Sequence, residues 1–191
     1  MTIEDLVSSL EIVGSPNPDI FTLEDLAQFE MEAGFRLPDD YKQFCRTLGS
    51  GQFGGHMKIC CPRIEYSRKS ISFMKIALWL AKEEFGNFDL AQEIKDLLNA
   101  CFVFGTNPNC QDVVWDLRTY QESDDSYDIY LIPLDPLDEF YFLGRSFLKF
   151  LEDFCIGEQG YKNLPEHLYP CEGTIARRFT RYDSSIGSVA F

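Results

Sequence analysis

The chain has 191 residues, 45% of them hydrophobic and 15% aromatic, with 17 Phe and 9 Tyr. That length suits one domain with a core of its own, and the aromatic content excludes a disordered polymer. Lys and Arg number 17 against 31 Asp and Glu, a formal net charge of −14. Such a charge argues against nucleic acid or anionic lipid as a partner. It favours a cationic partner, or a surface kept soluble by its acids. The opening stretch MTIEDLVSSLEIVG carries acids where a signal peptide needs bases, and no run of about 18 apolar residues occurs. A cytoplasmic protein without a membrane span is expected. The seven cysteines form no C-x-x-C pair, so reduced thiols are expected rather than disulfides.

Ile3, Leu6, Val7 and Leu10 recur at helical spacing, and GSPNPD stops that helix. Thr22 is a good N-cap with Asp25 three residues on, and Leu23, Leu26, Phe29 and Ala33 line one face of the helix that follows. Gly34 suits its C-terminal stop. Pro38 opens a second helix along Leu37, Tyr41, Phe44 and Leu48, which Gly49 ends. HMKICC reads as a short strand. SISFMKIALWLAKEEFG and DLAQEIKDLLNAC read as two further helices. CFVFG, DVVWDL, SYDIYLIPL and EFYFLG then follow as strands, with TNPN and QESDD as turns between them. Tyr127, Ile129 and Leu131 share one side. Short connections favour an antiparallel meander. Ser146 or Arg145 starts a last helix, with Phe147, Phe150, Leu151 and Phe154 at i, i+3, i+4 and i+7. The expectation is an α+β fold: N-terminal helices, a central antiparallel sheet of about four to six strands, and a closing C-terminal helix.

Gly49-x-Gly51-x-x-Gly54 has the spacing of a dinucleotide fingerprint, but that site needs a strand before the first glycine and a helix after the last. Here a helix precedes and a strand follows, so no helix N-terminus meets a phosphate. The glycines read as a turn, and no cofactor is expected. His56 and His167 are the only histidines, and neither H-x-x-x-H nor C-x-x-C occurs, so no metal site is expected. No G-x-S-x-G elbow is present. A Cys–His dyad through His167 stays open at this point, although seven cysteines and two histidines make chance pairing easy.

The acids carry more. Between Asp112 and Glu139 stand nine of them (Asp112, Asp116, Glu122, Asp124, Asp125, Asp128, Asp135, Asp138 and Glu139) against one base, Arg118. They lack EF-hand spacing. They read as an electrostatic binding face rather than a catalytic pair, with a purely solvated surface as the alternative. Trp115, Tyr120, Tyr127 and Tyr130 are interleaved. Facing outward they would anchor an interface; facing inward they would be core. The expected partner-binding residues are Asp112, Asp116, Glu122, Asp124, Asp125, Asp128 and Trp115.

The stretch TLEDLAQFEMEAGFRLPDDYKQFCRTLGSGQFGG resembles the opening of the SUKH superfamily. It has a helix carrying Phe29-Glu30, then Gly34, then Leu37-Pro38-x-x-Tyr41 and a glycine-rich turn. CFVFGTNPNCQDVVWDL resembles the family's paired strands, and FYFLGRSFLKFLEDF its last strand and helix. The resemblance covers about residues 20–156 of a single domain spanning 1–191. It leaves a helical insertion at about 66–100 and a C-terminal extension at 157–191. It implies a protein-binding module with no catalytic residues to carry over. Bacterial members are commonly cytoplasmic immunity proteins that neutralise a toxin, often a nuclease, and a basic toxin domain would match the acidic face. The alternative is a regulatory or scaffold protein like the fungal members that govern cell-wall synthesis. Less in keeping with the resemblance is a small hydrolase or metal-dependent enzyme.

Overall fold

Local chemistry decides the first helices of the computed structural model, which describes residues 2–62, 91–134 and 139–183. Helices α1 (Ile3–Ser8) and α2 (Leu23–Ala33) each follow a threonine, Thr2 and Thr22. The hydroxyl accepts the N–H of the aspartate three residues on, and that aspartate accepts the threonine N–H in return. Each capping box satisfies donors that a helix start otherwise leaves open. Gly34, at φ 78°, ends α2 in the left-handed conformation, which its missing Cβ permits. Helix α3 (Asp39–Thr47) starts directly behind Pro38. Leu26, Phe29, Leu37, Tyr41, Phe44 and Leu48 are buried as their spacing predicts, whereas Leu23 is exposed. Glu30 fastens the α2–α3 connection. Its Oε1 accepts the Leu37 N–H at 2.6 Å and pairs with the Lys42 ammonium at 3.2 Å.

Among the described residues, one open sheet of 8 strands organises the rest. In chain order its strands are β1 (Glu11–Gly14), β2 (Gly51–Phe53), β3 (Met57–Ile59), β4 (Cys101–Asn107), β5 (Gln111–Gln121), β6 (Ser126–Pro133), β7 (Tyr141–Gly144) and β8 (Arg178–Arg181). Their spatial order is β1-β8-β2-β3-β4-β5-β6-β7. From β2 through β7 every neighbour is antiparallel, which is the expected meander. The sheet is larger than four to six strands because β8 inserts between the first two strands, parallel to β1 and antiparallel to β2. The chain's last described strand thus joins its first.

Helix α4 (Gln92–Asn99) matches the second of the two helices expected before the meander; SISFMKIALWLAKEEFG lies outside the described residues. Helix α5 (Phe147–Phe150) is capped by the Ser146 hydroxyl and runs on as a π-helical turn, Leu151–Cys155. Phe147, Phe150, Leu151 and Phe154 are all buried. This helix does not close the chain. Two 3₁₀ turns, Gly160–Asn163 and Glu166–Leu168, follow it and lead back to β8.

The glycine stretch is part of this closure. A Cβ on Gly51 would lie 2.4 Å from Phe179 Cζ and 2.5 Å from the Thr180 carbonyl oxygen, so only glycine lets β2 lie this close to β8. Gly49, at φ 74°, turns the end of α3 toward β2. The segment is a helix–strand–turn–strand unit, with a helix before the first glycine and a strand after the last. His56, in the β2–β3 turn, lies within 2.8 Å of the Phe154 carbonyl through Nε2 and 3.3 Å of the Thr174 carbonyl through Nδ1. Burial lowers its pKa. It ties the turn to the C-terminal segments.

The main core lies between the helices and the inner face of the sheet. Trp115 sits at its centre, stacked on Phe104 at 4.5 Å and edge-on to Tyr41 at 4.8 Å. A smaller core lies on the outer face, where Ile94, Leu97 and Leu98 of α4 pack on Cys101, Val114 and Ile132. Among the described residues, no helix is long and apolar enough to cross a membrane.

Candidate protein-binding face

A strand sends successive side chains to opposite faces, and on β5 this divides the expected binding residues. Val113 and Trp115 enter the main core, and Val114 joins the outer one. Asp112, Val114 and Asp116 therefore share the outer face. Trp115 is 0% exposed and offers no surface to a partner. Its neighbours Tyr41, Phe104 and Tyr127 claim its area, and its expected role as an anchor is corrected accordingly. Tyr127 is also core, and its hydroxyl donates to the Arg36 carbonyl at 2.8 Å.

The carboxylates fall into three environments. Asp112 is buried opposite Thr106 and Ile132. Burial raises its pKa to about 6, against a lowering contribution from the Thr106 hydroxyl, because removal from water disfavours the charged form. Asp116 is 3% exposed, yet ionically paired. Arg118 donates to it from Nε at 2.8 Å, from a guanidinium NH2 at 2.6 Å and from its own backbone N–H at 3.0 Å. The bidentate fork suits a carboxylate taken out of water.

The hairpin carboxylates are held from within the fold. Arg145 pairs with Asp128, reaches Asp124 at 3.4 Å, and donates to the carbonyls of Thr119 and Ser126 at 3.0 and 3.1 Å. It clamps both strands of the β5–β6 hairpin. Asp125, at φ 46° in the turn, accepts the Asp39 N–H at 2.7 Å and the Tyr120 hydroxyl at 2.7 Å. It is in effect the N-cap of α3, supplied from 86 residues away, since Pro38 has no side-chain cap of its own. Asp40 feels the result: burial, then the charges of Asp125 and Asp39, raise its pKa. Glu122 and Asp124 remain exposed at the tip.

A cleft opens on the outer face where α4 leaves the sheet. Its volume is about 230 Å³, and Glu93, Asp96, Leu97, Asp116, Arg118, Tyr130 and Phe140 line it. Glu93 and Asp96 stand three apart on α4 and so share a side of the helix. Among the described residues neither pairs with a basic side chain; Asp96 accepts only the Gln92 amide, at 2.7 Å. Tyr130 meets Phe140 edge-on at 5.2 Å and Phe142 at 5.6 Å. Phe142, opposite Tyr130 on the edge strand β7, is 57% exposed. An aromatic strip therefore runs along the rim of an acidic cleft.

Sequence reading did not single out Glu93, Asp96, Phe140 or Phe142, and it took Arg145 only as an alternative helix start rather than as the partner of the hairpin carboxylates. The period of two would have placed Asp116, Asp128 and Tyr130 on one face, but the cleft exists only once α4 packs on it.

Two of the thiols and the histidines of this fold are poorly placed for nucleophilic chemistry. Burial pushes the thiols of Cys60 and Cys101 up to about 12, which keeps them protonated and poorly nucleophilic at neutral pH. His56 faces backbone carbonyls, and His167 is exposed on a 3₁₀ turn. Among the described residues no group of three or more His, Cys, Asp or Glu could hold a metal ion.

Comparison with known proteins agrees with the fold's opening signature. The family description SMI1 / KNR4 family (SUKH-1) matches residues 20–153. Neither the curated proteins nor the solved structures compared with the chain gave a match. The matched span runs from the capping box of α2 to the π turn after α5 and takes in Glu30, Gly34, Pro38, Tyr41 and the whole meander. The chain belongs to the SMI1 / KNR4 (SUKH-1) family.

Proposed function

We propose that this chain is a protein-binding module that acts as a cytoplasmic immunity protein, neutralising a toxin with a basic, often nuclease, domain. Family membership supports the module: SUKH domains are generally non-enzymatic binding modules. The observation that carries the choice of partner is the outer face of the meander. There an acidic cleft, two carboxylates (Glu93 and Asp96) that form no ion pair among the described residues, and an exposed phenylalanine lie side by side. A nuclease holds phosphates on a basic surface. An inhibitor that presents carboxylates competes for that surface and associates quickly through charge complementarity. Of the residues expected to bind, Asp116, Glu122, Asp124 and Asp128 remain candidates for this face. Asp112 and Asp125 contribute mainly inside the fold.

The test is protection. Candidate toxin domains encoded by the genes adjoining this one are expressed in bacterial cells with and without the chain, and survival is counted. Survival restored by the chain is the expected result; killing at the same rate with the chain present overturns the reading. A regulatory scaffold role would instead give several partners in a pull-down and no protection.

A further inference from the structure

We propose that the cleft between α4 and the outer face of the sheet receives an arginine side chain of a basic protein partner, with the Phe140–Tyr130–Phe142 strip as the apolar footing of the same interface. This rests on the reading that the chain binds a basic protein, and it adds the place and the groups.

The cavity's size points to one side chain. Its volume of about 230 Å³ falls below the roughly 300–1,000 Å³ of sites for drug-sized ligands. Its lining charges are unbalanced, with Glu93, Asp96 and Asp116 against Arg118. Arg118 already gives Nε and one NH2 to Asp116, so it is poorly placed to attract an anion. Glu93 and Asp96 form no direct ion pair among the described residues; the Asp96 charge reaches only Arg118, which is already bound to Asp116, so an incoming cation finds surplus negative charge. The aromatic wall decides between cations. Tyr130 and Phe140 cross edge to face at 5.2 Å and offer a ring on which a planar guanidinium stacks while it forks toward a carboxylate. An ammonium has neither the plane nor the fork.

The strip explains how the partner's surface stays seated. Phe142 is 57% exposed on β7, at one end of the described strand order, beside Tyr130. Aromatic side chains are enriched at the centre of protein interfaces, and Phe142 beside the cleft is placed to serve as one such anchor. A second copy of this chain is a poor occupant, because each copy carries a net charge of −14.

The probe is N-acetyl-arginine methylamide, titrated into the ¹⁵N-labelled protein and followed by amide and Arg118 Nε–H shifts. Saturable shifts are expected at Asp96, Asp116, Arg118 and Tyr130. The E93Q/D96N double variant should weaken the apparent affinity roughly tenfold, and N-acetyl-lysine methylamide should bind more weakly than the arginine probe. Both substitutions lie on an exposed helix side, and a second variant, F142S, should leave probe binding intact while weakening the toxin domain. Non-saturating shifts, shifts spread equally over Glu122 and Asp124, an unchanged double variant, or lysine equal to arginine would each overturn the proposal. Cleft saturation without protection from the toxin would sink the toxin-neutralising reading alone. Protection that survives E93Q/D96N, with a non-saturating probe, would sink the cleft alone.

Discussion

Replacing Asp125 separates a structural acid from a binding one. Its carboxylate caps α3 through the Asp39 N–H at 2.7 Å, a bond whose loss at a helix N-cap costs about 1 kcal/mol and up to about 2. Its bond to the Tyr120 hydroxyl adds little, because that hydroxyl is near solvent and water replaces the carboxylate. Its backbone sits at φ 46°, where alanine costs about 1–2 kcal/mol, Asp and Asn are tolerated, and glycine is at ease. D125A therefore loses both cap and backbone and should destabilise by about 2–3 kcal/mol. D125G loses the cap but relaxes the backbone and should cost about 1 kcal/mol or less. D125N keeps an acceptor and a tolerated φ, and relieves repulsion with Asp39 and Asp40; it should stay near the parent, with the raised Asp40 pKa moving back toward its ordinary value. Urea unfolding followed by far-UV circular dichroism reads all three. The cap is refuted if D125A lies within about 0.5 kcal/mol of the parent. The order D125A, then D125G, then D125N, from least stable upward, is the signature of a cap built across 86 residues.

Asp112 gives a pH prediction. Its folded pKa of about 6 lies above the unfolded value near 3.8, so the folded state holds the proton longer. Stability from this group is present below pH 4 and is lost as pH rises through 6. D112N should remove that slope and stabilise the protein at pH 7 by at most about 3 kcal/mol; equal parent and variant stabilities at pH 4 and pH 7 alike would contradict it. G51A should destabilise by about 2–3 kcal/mol, because the new methyl meets the Thr180 carbonyl and the Phe179 ring and backbone does not yield; thermal denaturation reads this. R145A should cost about 1–3 kcal/mol in urea unfolding, since it frees Asp128 and two carbonyls at once. R145K should recover part of the loss through its charge but not the two carbonyl bonds.

Elements whose causes are local were legible. The Thr22–Asp25 box, the Gly34 stop and the Pro38 start all lie within a few residues of what they control. The meander was legible because its turns are short and its strands long. The missed strands, β1, β2 and β8, have three or four residues each, too few to show alternation. Their pairing joins residues 11–14 to 178–181, and the close approaches that fix it, Gly14 against Arg181 and Gly51 against Phe179 and Thr180, are to partners more than a hundred residues away. The same holds for the candidate site. The surplus of acid was plain in the residues, but its distribution depended on distant groups: Arg118 holds Asp116, Arg145 reaches back to Asp124 and Asp128, and Asp125 is spent on α3. Trp115 and Asp116 are neighbours in sequence and face opposite ways, so treating the aromatics and acids of β5 as one surface merged two faces of the sheet.

The claim that an acidic outer face recruits a basic protein is tested most directly by the salt dependence of association. Stopped-flow mixing of the chain with a purified basic toxin domain of the proposed kind gives the association rate across a range of ionic strength. A face that works by charge should show a rate falling steeply, by about tenfold or more between 50 mM and 500 mM salt, with the fall shallower in E93Q/D96N. A rate that does not change with salt, or a slope that the double variant leaves untouched, would contradict the account.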